Sequence, residues 1–218
     1  MYSSVPCCVV VALQYIRRIR MERLISIVDD DAAIRDSVRM LLESAGYTVQ
    51  VFASAVSFLA NGNMEGGCVI ADIRMPGMSG LELQEELVRR GIDIPVIIIT
   101  GHGDIPLAVR AMKAGALDFI EKPFDDDRIL NSAVRALDVG RQARDRSAEA
   151  KRARNLLALL TLREREVLDH LVSGCPNKIV AHELGISPRT VEIHRSHIMD
   201  KLDARSLSDV VRIALHAA

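Results

Sequence analysis

The sequence contains no tryptophan, and all aromatic residues together make up only 3% of it. Its buried cores must therefore be aliphatic, which agrees with a hydrophobic fraction of 49%. Cysteine is also scarce: Cys7, Cys8, Cys68 and Cys175 form neither a spaced disulfide framework nor a zinc-ligand pattern. These absences exclude a disulfide-stabilised secreted domain and a zinc finger. We therefore expect a cytoplasmic protein with free thiols.

A long apolar run is missing as well. The N-terminal stretch "VPCCVVVALQYI" is apolar for only about a dozen residues, whereas a membrane-spanning helix takes roughly 20. Its positive charges follow the run, whereas a secretory signal peptide carries them in front. Met21 opens "MERLISIVDDD", which resembles a natural start. We interpret residues 1–20 as an extension, either disordered or a start-site artefact, with a peripheral membrane anchor as the alternative. No stable membrane association is expected.

The net charge of −1 conceals an uneven distribution. Residues 21–140 hold 11 Lys and Arg against 19 Asp and Glu, whereas residues 141–218 hold 14 against 10. An acidic module suits the binding of a cation, and a basic module suits contact with a polyanion. The two parts of the chain are therefore expected to meet different partners.

From Leu24 onward, short apolar segments alternate with segments of helical periodicity. Five such pairs predict an α/β doubly wound five-stranded parallel sheet with helices on both faces, the last helix spanning 126–145. Residues 139–155 carry dense mixed charge without apolar periodicity. We predict the α/β domain over 21–138, a helical or flexible linker over 139–155, and a small all-α domain over 156–218.

Charged and hydroxyl side chains follow four of the predicted strands, at the edge where doubly wound sheets collect functional groups. They are Asp29, Asp30 and Asp31 after the first strand, Asp72 at the third, Thr100 at the fourth and Lys122 after the fifth. Crowded carboxylates repel unless a cation neutralises them, and such oxygen ligands suit Mg²⁺. A hydroxyl and an ammonium beside Asp72 are what an incoming phosphoryl group needs. If the sheet order brings these strands together, Asp72 is a candidate phosphoryl acceptor.

Asp72 has two alternative roles that the residues leave open. A lone aspartate at a strand end usually caps a turn, and it is the conjunction with Asp30, Thr100 and Lys122 that favours chemistry. A phosphatase can also use such an aspartate as nucleophile, but it needs a second aspartate two residues later as general acid. Arg74 occupies that position, so the site suits acceptance of phosphate from an activated donor.

The C-terminal region has the pattern of a helix-turn-helix. A capping box from Thr161 to Glu164 opens one predicted helix, and two more follow. On the last of these, an apolar Ile193 in a polar face can contact a thymine methyl, while Glu192 can accept from a base edge. The predicted DNA contacts are Lys178, Arg189, Thr190, Glu192, Ile193, Arg195, Ser196, His197 and Lys201. The alternative is a helical bundle that binds protein.

The motifs "VDDD", "ADIRMPGMSG", "ITGHGD" and "DFIEKPF" resemble, in order and spacing, the receiver domain of two-component response regulators of the FixJ type. The resemblance implies that a sensor histidine kinase phosphorylates Asp72. It also implies that Mg²⁺ is held by Asp30, Asp72 and the main-chain carbonyl of Arg74, with Asp29 acting through water.

The same resemblance implies roles for the fourth and fifth strands. Thr100 and Lys122 would contact the phosphoryl oxygens, and Phe119 would be the aromatic switch residue. The peptide bond between Lys122 and Pro123 would be cis.

The strings "LTLREREVL", "NKIVAHELGIS" and "RTVEIHRSHIMDKL" resemble the LuxR-type DNA-binding domain. The sequence departs from that pattern at Glu192, where many members carry lysine, so the base preference stays open. Together the two resemblances imply a non-enzymatic transcriptional regulator that phosphorylation activates. It would form a homodimer when phosphorylated and bind double-stranded promoter DNA, with RNA polymerase as a further partner.

Overall fold

The computed structural model describes residues 23–64, 66–101 and 105–217. The predicted extension 1–20 lies outside them, as do residues 102–104 of the "ITGHGD" motif. The chain divides into two compact units, and the boundary along the chain lies between Arg144 and Asp145. The first unit is α/β and the second is helical, so each is described separately.

The first unit contains one parallel sheet. Its strands are β1 Leu24–Val28, β2 Thr48–Phe52, β3 Cys68–Asp72, β4 Val96–Thr100 and β5 Asp118–Glu121. Their spatial order is β2-β1-β3-β4-β5, with every neighbouring pair parallel. This order confirms the predicted fold class. It also brings the candidate site residues to one edge of the sheet, because β1, β3, β4 and β5 lie side by side.

Helices cover both faces of the sheet. They are α1 Ala32–Ser44, α2 Ala55–Asn61, α3 Gly80–Arg89, α4 Ile105–Lys113 and α5 Asp126–Leu157. Residues of α2, α3 and α4 pack into one apolar cluster with the sheet, and residues of α1 and α5 pack into another. Strand side chains alternate between the two clusters: Ile25 and Ile27 belong to the second, and Val28 to the first. Strands β1, β3 and β4 are fully buried because both faces of the sheet are covered, which is why they appear as continuous apolar runs.

Helix α5 is longer than predicted. It reaches Leu157 instead of ending at 145, so it contains all of 139–155. Residues 141–157 include no proline, and alanine, arginine, lysine and glutamate are strong helix formers, so mixed charge does not end the helix. Gly140 itself allows a close approach: a Cβ there would meet the carbonyl oxygen of Gly67 and the Cδ of Pro95, each at 3.1 Å.

The second unit is an all-helical domain. Its helices after α5 are α6 Leu162–Val172, α7 Asn177–Leu184, α8 Pro188–Lys201 and α9 Leu207–Ala217. Its core is aliphatic, with Val167, Val180, Val191, Ile198 and Leu202 all buried. Each of these side chains contributes about 1.5–3 kcal/mol by leaving water. This small core is what fixes the angle between the helices.

In the part of the chain that the structure describes, no helix combines the length and the apolar character needed to cross a bilayer.

Candidate functional site

Two carboxylates meet at the carboxyl edge of the sheet. Asp72 ends β3, and Asp29 directly follows the neighbouring strand β1. Their exposed fractions are only 6% and 1%. The ammonium of Lys122, which follows β5, donates to Asp72 Oδ1 at 2.6 Å and to Asp29 Oδ2 at 2.9 Å. The sheet order therefore brings together three groups that are far apart in the sequence.

Each of these carboxylates is also held by its own loop. The N–H of Asp31 donates to Asp29 Oδ1 at 2.8 Å, and the N–H of Arg74 donates to Asp72 Oδ2 at 2.7 Å. Gly80 contributes by having no side chain, since a Cβ there would lie 2.4 Å from the carbonyl oxygen of Asp72. Asp72 thus accepts a hydrogen bond from the turn that follows it, as a turn cap does, but it also contacts Lys122.

Burial and charge act together on these groups. Burial raises the pKa of Asp29 against the opposing effect of Lys122, and the negative charge of Asp72 raises it further. Burial by itself lowers the pKa of Lys122, but the hydrogen bonds and charges of Asp72 and Asp29 outweigh it, so that the pKa is raised. Lys122 therefore stays cationic between the carboxylates.

Thr100 and Phe119 lie beside this group on the next two strands. Thr100 is fully buried at the end of β4, and its carbonyl oxygen accepts the N–H of Lys122 at 2.7 Å. Phe119, in β5, is half-buried and packs against the apolar cluster on the α2, α3 and α4 face. The peptide bond between Lys122 and Pro123 is cis. Main-chain pairing thus connects β4 to β5, which carries Phe119, and to Lys122 directly after that strand.

The predicted metal ligands are only partly assembled. Asp30 and Arg74 are exposed. Among the described residues, no three side chains of His, Cys, Asp or Glu gather as ligands. Asp29 and Asp72 nevertheless supply two adjacent, poorly hydrated carboxylates, and Mg²⁺ commonly takes one or two carboxylates and completes its shell with water. The residues present therefore fit this cation.

In the second unit, local signals define a helix-turn-helix. The side chain of Thr161 accepts from the N–H of Glu164, and the carboxylate of Glu164 accepts the N–H of Thr161 at 2.8 Å, which completes the capping box before α6. Gly185 ends α7 with φ 64°, a value that glycine adopts without strain. Ser187 caps α8 by accepting the N–H of Thr190 at 3.1 Å.

Helix α8 has a buried face and an exposed face. Val191 and Ile198 point into the core. Four of the predicted DNA contacts line an open groove on the other side: Arg189, Glu192, Ile193 and Ser196. Ile193 is 48% exposed although it is apolar. His197, on the same helix, and Lys178, on α7, are exposed as well.

Four of the predicted contacts have partners within the unit, and one of them is His197, whose Nδ1 lies 3.9 Å from Glu164 Oε1. Lys201 donates to Glu164 Oε2 at 2.7 Å, and Arg195 donates to Asn177 Oδ1 at 2.8 Å. The hydroxyl of Thr190 lies 2.8 Å from that of Ser187. Lys201 and Arg195 therefore join α8 to the starts of α6 and α7. Nothing local in the sequence marks these pairs, because their members are far apart along the chain.

Both units match known families. Residues 25–134 match the family described as "Response regulator receiver domain", and residues 158–214 match "Bacterial regulatory proteins, luxR family". The chain belongs to the response regulators, with a receiver domain followed by a LuxR-type DNA-binding domain.

The similarity to individual proteins covers both domains. The chain is 51% identical over 199 residues to "Transcriptional regulatory protein FixJ" of Azorhizobium caulinodans, covering 88% of this chain and 92% of that protein. It is 48% identical over 194 residues to the FixJ protein of Rhizobium meliloti, covering 88% and 94%. Among solved structures, response regulator StyR superposes with a TM-score of 0.78 at 42% identity, covering 88% of this chain and 98% of that one. The chain is thus a FixJ-like response regulator, which regulates transcription in response to phosphorylation.

Proposed function

We propose that Asp72 accepts the phosphoryl group from a partner histidine kinase. The observation that carries this assignment is the Lys122 ammonium between Asp72 and Asp29, at the ends of adjacent strands and beside buried Thr100. In the transfer, the phosphorus–nitrogen bond of a phosphohistidine breaks and a phosphorus–oxygen bond to Asp72 forms. The imidazole departs with the bonding electrons and is protonated by water.

Each neighbour of Asp72 has a role in this proposal. Lys122 exchanges its contact with the carboxylate for one with a phosphoryl oxygen, and Thr100 donates its hydroxyl to another. A Mg²⁺ ion, when bound, neutralises charge between the carboxylates and the phosphoryl group. Asp29, Asp30, Asp72 and the carbonyl of Arg74 would hold it.

We infer that Phe119 turns inward when Thr100 moves toward the phosphoryl group. The surface of α4 and β5 would then change and pair with a second copy of the chain. Exposed apolar side chains on α4 support this role, since Ile105 is 78% exposed and Met112 is 49% exposed.

The proposed output is DNA binding by helix α8. Glu192, Ile193, Ser196 and His197 would face base edges in the major groove, and Lys178 and Arg189 would contact phosphates. A dimer would present two such helices to half-sites about one turn apart, where RNA polymerase would be a further partner. We expect this to take place in the cytoplasm, with 21–138 as the receiver domain and 156–218 as the DNA-binding domain.

Sedimentation tests the proposed switch. The chain is run with Mg²⁺, with and without acetyl phosphate, beside Asp72→Asn. We expect a dimer only for the wild type with the phosphate donor. A donor-dependent dimer in Asp72→Asn would contradict the assignment of Asp72.

Binding to DNA selected from a random library tests the proposed output. Arg189→Ala and Ile193→Ala should each weaken it. Undiminished binding by both variants would contradict the assignment of α8.

A further inference from the structure

The buried carboxylate of Asp118 is the centre of a network that the proposed phosphoryl chemistry does not use. Asp118 opens β5, one residue before Phe119. Its Oδ1 accepts from the N–H of Phe119 and from Arg128 Nη2, each at 2.9 Å. Its Oδ2 accepts from Arg135 Nη2 at 2.5 Å and from the hydroxyl of Ser132. Both oxygens of one carboxylate are therefore occupied, and three of the four donors belong to α5.

The network connects the two faces of the sheet. Phe119 packs against the cluster on the α2, α3 and α4 face, whereas its neighbour Ile120 packs with Ile129 on the α5 face. Side chains alternate along a strand, so Asp118 lies on the same face as Ile120. Its bond to the N–H of Phe119 thus links the main chain at the proposed switch residue to α5 on the opposite side.

The geometry is suited to hold this helix firmly. Arg128, Ser132 and Arg135 follow at intervals of four and three residues, so they lie on one face of α5. The two guanidinium bonds are charge-assisted and stronger than neutral hydrogen bonds. Apolar packing of Ile129 can keep α5 against the sheet, but it does not fix the helix to one particular residue of β5 as these directional bonds do.

We propose that Asp118 is a positioning residue that couples Phe119 to α5, so that a change in β5 on phosphorylation displaces this helix as well. The inference rests on the proposed function, in which Phe119 is the switch. Helix α5 continues past Arg144, where the first unit ends, so it is also the segment through which the chain enters the DNA-binding unit.

The test separates phosphorylation from its consequence. For the wild type and Asp118→Asn, the phosphorylated fraction is measured by intact mass, and the dimer dissociation constant by sedimentation with and without acetyl phosphate and Mg²⁺. Asparagine keeps an oxygen for the N–H of Phe119 but loses both ion pairs. We expect similar phosphorylation of the two proteins. The ratio of dissociation constants without and with phosphate should fall by about ten-fold in Asp118→Asn.

Two control variants distinguish coupling from a loss of stability. Asp138→Asn removes an exposed ion pair with Arg141 from the same helix, and Ile129→Val removes a methylene from the buried α5 face. Both variants should keep the wild-type ratio of dimer dissociation constants without and with phosphate. This should hold even if Ile129→Val lowers the melting temperature by as much as Asp118→Asn does. If Asp118→Asn does not fold, Arg135→Gln replaces it, since that side chain is 57% exposed.

Three results would overturn the inference. In the first, Asp118→Asn and Arg135→Gln keep the wild-type ratio. In the second, Ile129→Val lowers the ratio equally at matched stability. In the third, the wild type takes up no phosphoryl group or does not dimerise, which refutes the proposed function as well and is thereby distinguished from the first two.

Discussion

The two units use charged residues in opposite ways. In the receiver domain, Asp29 and Asp72 are buried, and each accepts a hydrogen bond from the half-buried Lys122. In the DNA-binding domain, Arg189 and Glu192 extend from an exposed helix face. A site for a small charged group gains from fixed, poorly solvated partners, whereas a surface that reads a macromolecule must be open to it. The proposed phosphoryl site is therefore buried, whereas the proposed DNA-reading face is exposed.

Within the second unit, not every predicted DNA contact is free of bonds to other helices. Lys201 and Arg195 were predicted to contact DNA, yet each is bonded to a residue at the start of another helix. Like Lys122 and unlike Arg189, these two cations are bonded to residues of other elements. They therefore hold those elements together. Variants that remove a bonded cation should therefore differ in stability, as well as in DNA binding, from variants that remove an exposed one.

The largest effect on stability is expected from Lys122→Ala. Removing the ammonium leaves two buried carboxylates facing each other, and breaking a buried ion pair in this way costs about 3 kcal/mol. Mg²⁺ should then raise the melting temperature of the variant more than that of the wild type, since no ammonium competes for the carboxylates. Thermal denaturation with and without Mg²⁺ measures both. Exposed Lys113→Ala is the matched control, and a Lys122→Ala protein as stable as this control would contradict the account.

In the second unit, Glu164→Gln should cost about 2 kcal/mol, because the negative charge that pairs with Lys201 is lost, while the amide oxygen can still accept the N–H of Thr161 in the capping box. The Lys201 ammonium, followed by the N–H of Thr161, lowers the pKa of Glu164 from 4.5 to about 2. Its contribution is therefore complete above pH 4.5 and is lost as the pH falls from 4.5 to about 2. Urea denaturation across that range should give a shallower pH dependence for the variant. Parallel curves for the two proteins would contradict the pairing.

A comparison of Arg189→Ala with Arg195→Ala sharpens the contrast between recognition and support. Arg189→Ala should weaken DNA binding by about 1–2 kcal/mol and lower its salt dependence, because a phosphate contact is lost, without a change in melting temperature. Arg195→Ala should lower the melting temperature, because Asn177 loses its partner. Binding titrations at several salt concentrations and thermal melts separate the two. Identical behaviour of the variants would remove the distinction.

The smallest effect is expected at the start of α8. Ser187→Ala removes the cap on the N–H of Thr190 and should cost about 1 kcal/mol. Ser196→Ala, on the exposed face of the same helix, should stay within about 0.5 kcal/mol of the wild type. Chemical denaturation measures both. Equal stability of the two variants would show that the cap is not needed to hold the helix.

The sequence predicted the features that depend on local patterns. Apolar periodicity located the strands and helices, and Thr161, Gly185 and Ser187 marked helix ends that the structure confirms. Asp72 and Lys122 were predicted as neighbours only if the first, third, fourth and fifth strands lie side by side. Periodicity alone does not determine which strands pair. The end of α5 was placed wrongly at 145, whereas the helical one of the two alternatives for 139–155 is confirmed, because helix propensity outweighed the lack of an apolar face.

Long-range polar pairs could not be predicted. The bond from Lys201 to Glu164 and the network around Asp118 join residues on different elements, and their formation depends on angles between helices that only the packed core sets. Asp118 looked like an ordinary strand residue in the sequence. A buried carboxylate becomes recognisable only when its partners are seen in space.

The most direct test of the account is to locate the phosphoryl group. The protein is treated with acetyl phosphate and Mg²⁺, then with borohydride, which reduces an aspartyl phosphate to homoserine, and its peptides are sequenced by mass spectrometry. We predict homoserine at position 72 and none at positions 29 and 30. Homoserine at position 29 or 30, or its absence from position 72 in phosphorylated protein, would contradict the central claim.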